Sequence, residues 1–260
     1  YRNEHGANPT LIALPGIGSL KVVQDAGRLP LRNKVAVVTG AAGAIGAGIC
    51  RTLLENGCRV AAADIAQNNL DGLVKELKTV GPAIGVRMDV TDAASVAEGF
   101  AQVAATWGGV DVVVVNAGIA AVAALVDLDL KAFRRLEKVN IDGTLLTLAE
   151  AGRCLRRQGT GGDIVLISTK NVFAPGAQFG AYSATKAASH QLARIASLEF
   201  AAFGVRVNMV APDAVFSDGS RKSGLWAAVG PSRMKARGLD EKGLEEYYRN
   251  RNLLKARVTS

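Results

Sequence analysis

The sequence predicts a doubly wound α/β fold, in which a parallel β-sheet carries α-helices on both faces. Three observations predict this fold. Residues 34–64 read as a strand, a glycine-rich turn, a helix and a second strand. Strand-length apolar runs and helical patterns then alternate up to residue 212. The run at 111–115 is almost wholly apolar, which is typical of a strand that is buried on both faces.

The elements follow in chain order. The first strand is Val35–Val38, and a glycine-rich turn leads from it into a helix that ends at Gly57. The second strand is Arg59–Ala63. Apolar residues at helical spacing predict further helices over 67–79, 93–107, 130–157 and 182–203. The remaining strands are predicted at 84–88, 111–115, 163–167 and 205–210.

The same patterns divide the chain into three parts. Residues 1–30 stand outside the alternation and are predicted to be an N-terminal extension or the tail of an upstream domain. Residues 31–212 form the predicted dinucleotide-binding domain. Residues 213–260 do not continue the alternation of strands and helices. They contain two short helical stretches, Ser217–Gly238 and Leu239–Asn252, which predict a helical lid over a substrate.

Composition and charge exclude several classes of function. No apolar run reaches the length of about 18 residues that would span a membrane, and no segment has the layout of a signal peptide. The three cysteines are read as reduced thiols, which predicts a cytoplasmic protein without a metal site. The net charge is +8, but the basic residues cluster after residue 220 without the aromatic pattern of an RNA-binding sheet. We therefore predict a solvated basic surface, or a flap over an anionic cofactor, and no nucleic-acid partner.

The glycine-rich turn and the strand after it have the chemistry of a dinucleotide site. Gly40 allows a sharp turn after the strand, and Gly46 allows the helix N-terminus to approach a pyrophosphate, which its free N–H groups and dipole favour. Asp64 ends the second strand, about 18 residues after Gly46, where a carboxylate accepts hydrogen bonds from a ribose. The alternative is a glycine-rich turn in another kind of α/β protein.

Tyr182 and Lys186 predict proton transfer. Their spacing places both residues on one face of a helix. A lysine cation favours the phenolate and lowers the pKa of a nearby tyrosine, so that the tyrosine exchanges a proton with a hydroxyl or carbonyl group. A tyrosine and a lysine also meet at this spacing by chance in many helices. The glycine-rich turn in the same chain makes the catalytic interpretation the stronger one.

Together these motifs resemble the short-chain dehydrogenase/reductase family. Thr39-Gly40 with Gly46 resembles the family's T-G-x-x-x-G-x-G turn. Residues 182–186 resemble its Tyr-x-x-x-Lys motif, and residues 116–118 resemble its Asn-Ala-Gly segment. Ala44 stands where the middle glycine of the turn is usual, with Gly43 one residue earlier. The resemblance implies a Rossmann fold, an oxidoreductase activity on a small molecule and a nicotinamide cofactor.

The resemblance also implies roles for individual residues. Tyr182 is the catalytic acid/base, Lys186 assists it and holds the nicotinamide ribose, and Asn140 holds a water in the proton relay, unless it is a polar residue on an exposed turn. Thr169 occupies the position of the family's serine, with Ser168 as the alternative. The implied cofactor-binding residues are Gly40, Gly43, Ile45, Gly46, Asp64, Ile65, Asp89, Val90, Asn116, Ala117, Gly118, Lys186 and Pro212.

Five residues leave an alternative open, depart from the family pattern or have no role in it. Asp89 and Val90 resemble its adenine-contacting pair, and the alternative for them is a helix cap. Pro212-Asp213 replaces the usual Pro-Gly after the sixth strand, so the nicotinamide carboxamide pocket is expected to differ. His190 is expected to be a packed or interface histidine.

Asp64 predicts NAD rather than NADP. A carboxylate near the 2′-phosphate of NADP would repel it, by about 1 kcal/mol in water and about 4 kcal/mol at an effective dielectric of about 20, for charges about 4 Å apart. No arginine or lysine lies at positions 41–43 to reverse this preference.

A narrower group within the family is also similar. Residues 168–171, 174–176, 211–216, 218–220, 223–226 and 247–252 resemble the dehydrogenase half of bifunctional rhamnulose-1-phosphate aldolase/alcohol dehydrogenases. Residues 8–9 and 14–18 resemble the end of the aldolase half. This similarity implies lactaldehyde as substrate, a role in rhamnose metabolism and fusion to an upstream aldolase.

The family resemblance further implies a homodimer or homotetramer, assembled through the helices at 130–157 and 182–203. It also implies one more helix and a seventh strand after the lid, so we expect the chain to be a C-terminally truncated piece that lacks the last strand. The competing hypothesis is a catalytically idle NAD-binding sensor or assembly domain. It is supported by the departures at Ala44, Thr169 and Asp213, and it is opposed by the presence of Tyr182, Lys186 and Asn140.

Overall fold

The computed structural model describes residues 11–14, 18–21, 29–216 and 224–259. The motif residues at 8–9, 15–17, 217–220 and 223 lie outside these ranges. The strands are β1 (Leu11–Leu14), β2 (Gly18–Lys21), β3 (Val35–Thr39), β4 (Arg59–Asp64), β5 (Ala83–Arg87), β6 (Val112–Val115), β7 (Gly162–Ile167) and β8 (Val205–Val210). The helices are α1 (Ala44–Glu55), α2 (Gln67–Leu77), α3 (Ala93–Trp107), α4 (Leu130–Leu136), α5 (Gly143–Gln158), α6 (Gly180–Phe200), α7 (Gly224–Arg237) and α8 (Glu241–Arg251).

Six of the strands form one parallel sheet in the order β5-β4-β3-β6-β7-β8. The strand order reverses between β3 and β6, whose carboxyl ends therefore lie side by side with a crevice between their loops. The doubly wound fold predicted from the sequence is confirmed. The pair β1 and β2 forms a separate antiparallel hairpin that is not part of the main sheet.

Alternation along the central strands distributes the core over both faces of the sheet. Val35 and Val37 of β3 pack into one apolar cluster, together with residues of α3, α5 and α6. Ala36 and Val38 pack into a second cluster with residues of α1 and α2. All five residues of β3 are buried, because successive side chains of a strand point to opposite faces and both faces are covered.

The long helical region predicted over 130–157 is present, but its middle is wound differently. Between α4 and α5, residues Glu137–Asp142 form a π-helical turn that contains the buried Asn140. Such turns are rare, and they occur frequently at functional sites. Helix propensity alone therefore does not determine the backbone geometry at Asn140.

The predicted short helices after residue 213 are present as α7 and α8. Val229 of α7 packs in a third apolar cluster with Phe179 and Tyr182 from the start of α6, so α7 covers that part of the domain. In the described part of the chain, no helix is long and apolar enough to cross a membrane. The predicted division at residues 30 and 212 remains a prediction.

Helix packing generates a first testable prediction. A Cβ atom added at Gly152 of α5 would lie 2.6 Å from Cζ of Phe200, whereas one added at Gly72 of α2 would have no atom within 4 Å. We expect Gly152→Ala to lower the free energy of unfolding by about 1–3 kcal/mol through overpacking. Gly72→Ala should raise it by up to about 1 kcal/mol, because alanine favours a helix interior. Urea unfolding of both variants measures the difference, and equal stabilities would contradict the described contact between α5 and α6.

Candidate active site

The predicted site residues meet at the carboxyl edge of the sheet. The glycine-rich turn follows β3, Asp64 ends β4, Asn116 follows β6 and Thr169 follows β7. Tyr182 lies in the first turn of α6, close to the same edge. Because the strands are parallel, all these loops are on one side of the molecule.

The two turn glycines are required by close backbone contacts. Gly40 has a φ of +63°, and an added Cβ atom would lie 2.7 Å from the Cα atom of Ala117. An added Cβ atom at Gly46 would lie 2.3 Å from the carbonyl oxygen of Gly40. The structural reason for Gly46 is therefore the packing of α1 against its own turn. The approach of this helix end to a pyrophosphate remains a prediction.

The N-terminus of α1 suits an anion. Gly43 is its N-cap, so no side chain caps the first N–H groups, and the first turn carries no acidic residue. Ala44, the departure from the family turn, is 5% exposed. Its methyl group is therefore buried, while the next residue, Ile45, is half-buried.

The carboxylate of Asp64 is hydrogen-bonded to the glycine-rich turn. One carboxylate oxygen accepts from the backbone N–H of Ala42 at 2.9 Å and the other from that of Ala66 at 3.0 Å. Each oxygen retains a second lone pair for a ligand hydroxyl. Ile65 beside it is 55% exposed, which is high for a large apolar side chain and fits a surface that a flat ligand would cover.

Asn116 joins the carboxyl ends of β3 and β6. Its Nδ2 donates to the carbonyl oxygens of Thr39 and Gly40 at 2.9 and 3.0 Å. In return, the hydroxyl of Thr39 accepts from the backbone N–H groups of Asn116 and Ala117. These bonds hold the Asn-Ala-Gly segment against the glycine-rich turn. An added Cβ atom at Gly118 would lie 3.4 Å from Nζ of Lys186.

Asp89 and Val90 lie in the loop after β5. The Asp89 carboxylate accepts from the backbone N–H and the hydroxyl of Thr91, and the Val90 side chain is buried against Gly143. The helix cap is supplied by Asp92, which accepts from the backbone N–H of Ala94. The open alternative, that residues 89 and 90 cap a helix, is therefore wrong, and their contact with an adenine remains a prediction.

Asn140 connects the loop after β6 to α6. Its side chain exchanges two hydrogen bonds with the backbone of Ile119 and donates to the hydroxyl of Thr185. Its carbonyl oxygen accepts from Thr144 and Ser189, both at 2.6 Å. Asn140 is 1% exposed, so the alternative of an exposed turn is wrong. Its protein partners give it a role in fixing the site, and its place in a water relay remains a prediction.

Thr169 rather than Ser168 faces Tyr182. The Thr169 side chain is close enough to the Tyr182 hydroxyl to lower its pKa, and the Thr169 hydroxyl accepts from the backbone N–H of Asn171 at 3.3 Å. Ser168 instead bonds His190, with 3.0 Å between its Oγ and Nδ1. The preference for Thr169 stated from the sequence agrees with this geometry.

Burial dominates the proton affinities of Tyr182 and Lys186. It raises the pKa of the Tyr182 hydroxyl above its usual value, and the hydrogen bond with Thr169 opposes this rise. Burial also lowers the pKa of Lys186 to about 8. The net pKa of the tyrosine is therefore raised and not lowered as expected, because burial is the largest influence on it. Nζ of Lys186 donates to the carbonyl oxygen of Ile167 at 2.7 Å. Burial thus shifts both groups towards their neutral forms.

The Pro212-Asp213 departure has a local explanation. The carbonyl oxygen of Pro212 accepts from the backbone N–H of Lys170, and the Asp213 carboxylate lies 3.5 Å from Nζ of Lys170. The segment after β8 is thus tied to the turn that carries Thr169. Both side chains are partly exposed, so the ion pair contributes little to stability, and its role is to orient this edge of the site.

The sequence patterns did not predict a role for the buried polar residues that support the site. They are the buried hydroxyl residues Thr39, Thr144, Thr185 and Ser189. Their signal was present, since a polar side chain on the apolar face of a predicted helix or strand needs a buried partner. Among the residues that the structure describes, no group of three or more histidine, cysteine, aspartate or glutamate side chains is placed to hold a metal ion.

A family comparison decides the assignment. The family model described as short chain dehydrogenase matches residues 34–227. The chain belongs to the short-chain dehydrogenase family. The prediction of an oxidoreductase enzyme of this family is thereby confirmed.

Individual relatives agree with the assignment. The chain is 41% identical over 199 residues to a cis-4-hydroxycyclohexanecarboxylate dehydrogenase of Sinomonas cyclohexanicum, covering 76% of this chain and 78% of the relative. It is 35% identical over 225 residues to the uncharacterized oxidoreductase YuxG of Bacillus subtilis, covering 85% of this chain and 32% of the relative. The chain thus spans about a third of the length of YuxG. An NAD⁺-bound xylitol dehydrogenase structure shares the fold, with a TM-score of 0.78, 23% identity and 88% of each chain covered.

The buried Lys186 gives a prediction on stability. Its pKa is about 8 in the folded protein and near the ordinary 10.5 when the chain unfolds. Between these values the unfolded chain binds more protons, so the contribution of Lys186 to stability rises with pH from 8 to 10.5. We expect Lys186→Met to lack this rise, which amounts to at most about 3 kcal/mol.

Urea unfolding at several pH values measures the difference between the wild type and each variant. Lys131→Met, which replaces an exposed lysine of α4, is the control and should keep the rise. A Lys186→Met variant that follows the wild type at every pH would contradict the lowered pKa.

Proposed function

We propose that this chain is an NAD-dependent oxidoreductase that transfers hydride between a small alcohol or aldehyde and NAD. The observation that carries the proposal is that the buried side chains of Tyr182, Thr169 and Lys186 meet at the carboxyl edge of the sheet. Lys186 lies one helical turn beyond Tyr182, and the uncapped N-terminus of α1 opens at the same edge of the sheet. A proton-transferring hydroxyl thus stands beside a place that suits a dinucleotide.

The residues present fit a nicotinamide dinucleotide. The turn at 40–46 would receive its pyrophosphate, Asp64 its adenosine ribose, and Lys186 its second ribose. Ile65, Asp89 and Val90 would border the adenine, and residues 116–118 with Pro212 would border the nicotinamide half. Bound NAD would supply the acceptor for the hydride that leaves the substrate carbon.

Side chains of this chain would then transfer the proton. In alcohol oxidation Tyr182, as phenolate, takes the proton of the substrate hydroxyl at its Oη atom. The Thr169 hydroxyl donates to the same substrate oxygen while negative charge develops there. In reduction Tyr182 returns the proton. Its raised pKa keeps Tyr182 protonated at neutral pH, so reduction starts from the form already present and oxidation gains from alkaline pH.

We further propose a small hydroxy compound as the substrate. A relative of 41% identity is named for a ring alcohol that also carries a carboxylate. The similarity to rhamnulose-1-phosphate aldolase/alcohol dehydrogenases favours lactaldehyde, with an aldolase module upstream in the same polypeptide and a role in rhamnose metabolism. The match to one third of YuxG is consistent with a module of a longer protein. Carboxylate-bearing and uncharged alcohols therefore belong in one assay.

Assembly and location are proposed on separate grounds. Leu145 of α5 and Ile195 and Leu198 of α6 are exposed apolar side chains, at 49%, 42% and 74%. They support pairing of these helices in a homodimer or homotetramer. All three cysteines are free and buried, which is compatible with the cytoplasm.

Cofactor choice is tested at Asp64. We expect Asp64→Ser to reduce the preference for NAD over NADP by about tenfold or more, because the variant removes the charge that repels a 2′-phosphate. NAD itself should bind more weakly, since the backbone N–H groups of Ala42 and Ala66 lose their acceptor. Calorimetric titration with both cofactors gives the ratio of dissociation constants. Asp71→Ser, on the exposed side of α2, should leave the ratio unchanged.

The activity is tested at Tyr182. NADH absorbance is followed with lactaldehyde, small polyols and cis-4-hydroxycyclohexanecarboxylate as substrates. We expect turnover of at least one of them, and a loss of about 100-fold or more in Tyr182→Phe while NAD binding is kept. Tyr247→Phe, on α8, is the control and should remain active.

The outcomes separate the alternatives. Turnover of lactaldehyde supports the narrower similarity, and turnover of another alcohol alone keeps the mechanism and removes the rhamnose link. NAD binding without turnover of any substrate would overturn the proposal and favour the idle sensor. The three departures that suggested an idle domain no longer support it on structural grounds: Ala44 is buried, Asp213 pairs with Lys170, and Thr169 lies beside Tyr182.

A further inference from the structure

Ser168 and His190 form a hydrogen-bonded pair directly behind the candidate catalytic threonine. The distance between Ser168 Oγ and His190 Nδ1 is 3.0 Å, and Ser168 is only 2% exposed. A buried hydroxyl that loses its partner costs about 1–3 kcal/mol, so the bond is well retained. The proton transfer and the cofactor site described above leave both side chains without a task.

Three consecutive residues at the end of β7 contact three positions on α6. Ile167 accepts from Lys186 through its carbonyl oxygen, Ser168 bonds His190, and Thr169 lies beside Tyr182. Thr169 has an extended backbone, with φ −158° and ψ 151°, so the side chains of residues 168 and 169 point in opposite directions. They therefore contact α6 two helical turns apart, on either side of Lys186.

His190 is held from a second side by the same turn. The ring of Phe173, which ends the short helix Lys170–Val172, packs edge-on against the imidazole with 5.2 Å between ring centroids. The turn from Ser168 to Phe173 thus contacts His190 at its beginning and at its end. The backbone bonds of this turn run elsewhere, from Ser168 N–H to Val210 and from Lys170 N–H to Pro212. Those bonds tie the turn to β8 but do not set its distance from α6.

We infer that Ser168 and His190 are positioning residues that hold the Thr169 hydroxyl in contact with Tyr182. The pair fixes the turn against α6 on the side of Thr169 that faces away from the reacting groups. Displacement of a reacting group by about 1 Å can cost about 100-fold in rate, so a bond of this kind affects catalysis without touching the substrate. The inference rests on the proposed roles of Thr169 and Tyr182.

Three single variants test the pair in the intact chain. Ser168→Ala and His190→Leu remove the hydrogen bond at nearly constant volume. His190→Asn keeps a hydrogen-bonding atom at the same distance from the backbone as Nδ1. We expect kcat to fall by about tenfold in the first two, with KM for NAD unchanged, and to stay within about twofold of the wild type in His190→Asn.

A background variant shows whether the pair acts through Thr169. In Thr169→Ala, adding Ser168→Ala or His190→Leu should lower kcat no further, because the group that they position is absent. A further loss of about tenfold in this background would overturn the inference, as would unchanged kcat in the single variants.

A second readout needs no substrate. The NMR signal of isotope-labelled Tyr182, assigned with Tyr182→Phe, reports the hydrogen bond to its hydroxyl. We expect this signal to shift in Ser168→Ala and His190→Leu and to keep its wild-type position in His190→Asn. An unshifted signal in folded Ser168→Ala and His190→Leu would overturn the inference. If the wild type turns over no substrate, the proposed function fails, and this signal still decides whether the pair positions Thr169.

Discussion

The hydrogen bonds that Asn116, which follows β6, makes with Thr39 and Gly40 at the end of β3 are the constraint on which the rest of the site depends. They join the two strands where their order reverses, and so they fix the start of the glycine-rich turn. A continuous set of contacts connects this point to α6. Gly118 lies beside Asn140, Asn140 bonds Thr185, and Thr185 is on the helix that carries Tyr182. The proposed proton-transferring end and the proposed cofactor end are therefore parts of one framework.

The sequence predicted the sheet and the glycine-rich turn because their signals are local. A strand that is buried on both faces shows as a continuous apolar run, and a glycine at positive φ is required where the backbone turns as it does at Gly40. It also indicated the place of Thr169 and Tyr182. The π-helical turn at 137–142 and the hydroxyl partners of Asn140 were not predicted, since they depend on contacts between residues about 45 positions apart. Hydrophobic pattern carries no information on such pairs.

The departures from the family pattern show how a site tolerates substitution. Ala44 places its methyl group inside the protein, and Thr169 keeps the hydroxyl at the position that contacts Tyr182. Asp213 introduces a charge, which Lys170 in the neighbouring turn meets at 3.5 Å. In each case the altered residue has its own local partner. Sequence comparison alone cannot distinguish such compensated changes from changes that abolish an activity, because the compensating contact lies in another segment.

The two hydrogen bonds that Asp64 accepts from Ala42 and Ala66 have a consequence for ligand association. They shape the turn before any ligand arrives, so little conformational entropy remains to be lost on binding. A turn that is already shaped in this way would bind without a slow rearrangement, and the dissociation rate would then differ most among related ligands. In the proposed function, the carboxylate that anchors the turn would therefore also meet the ligand.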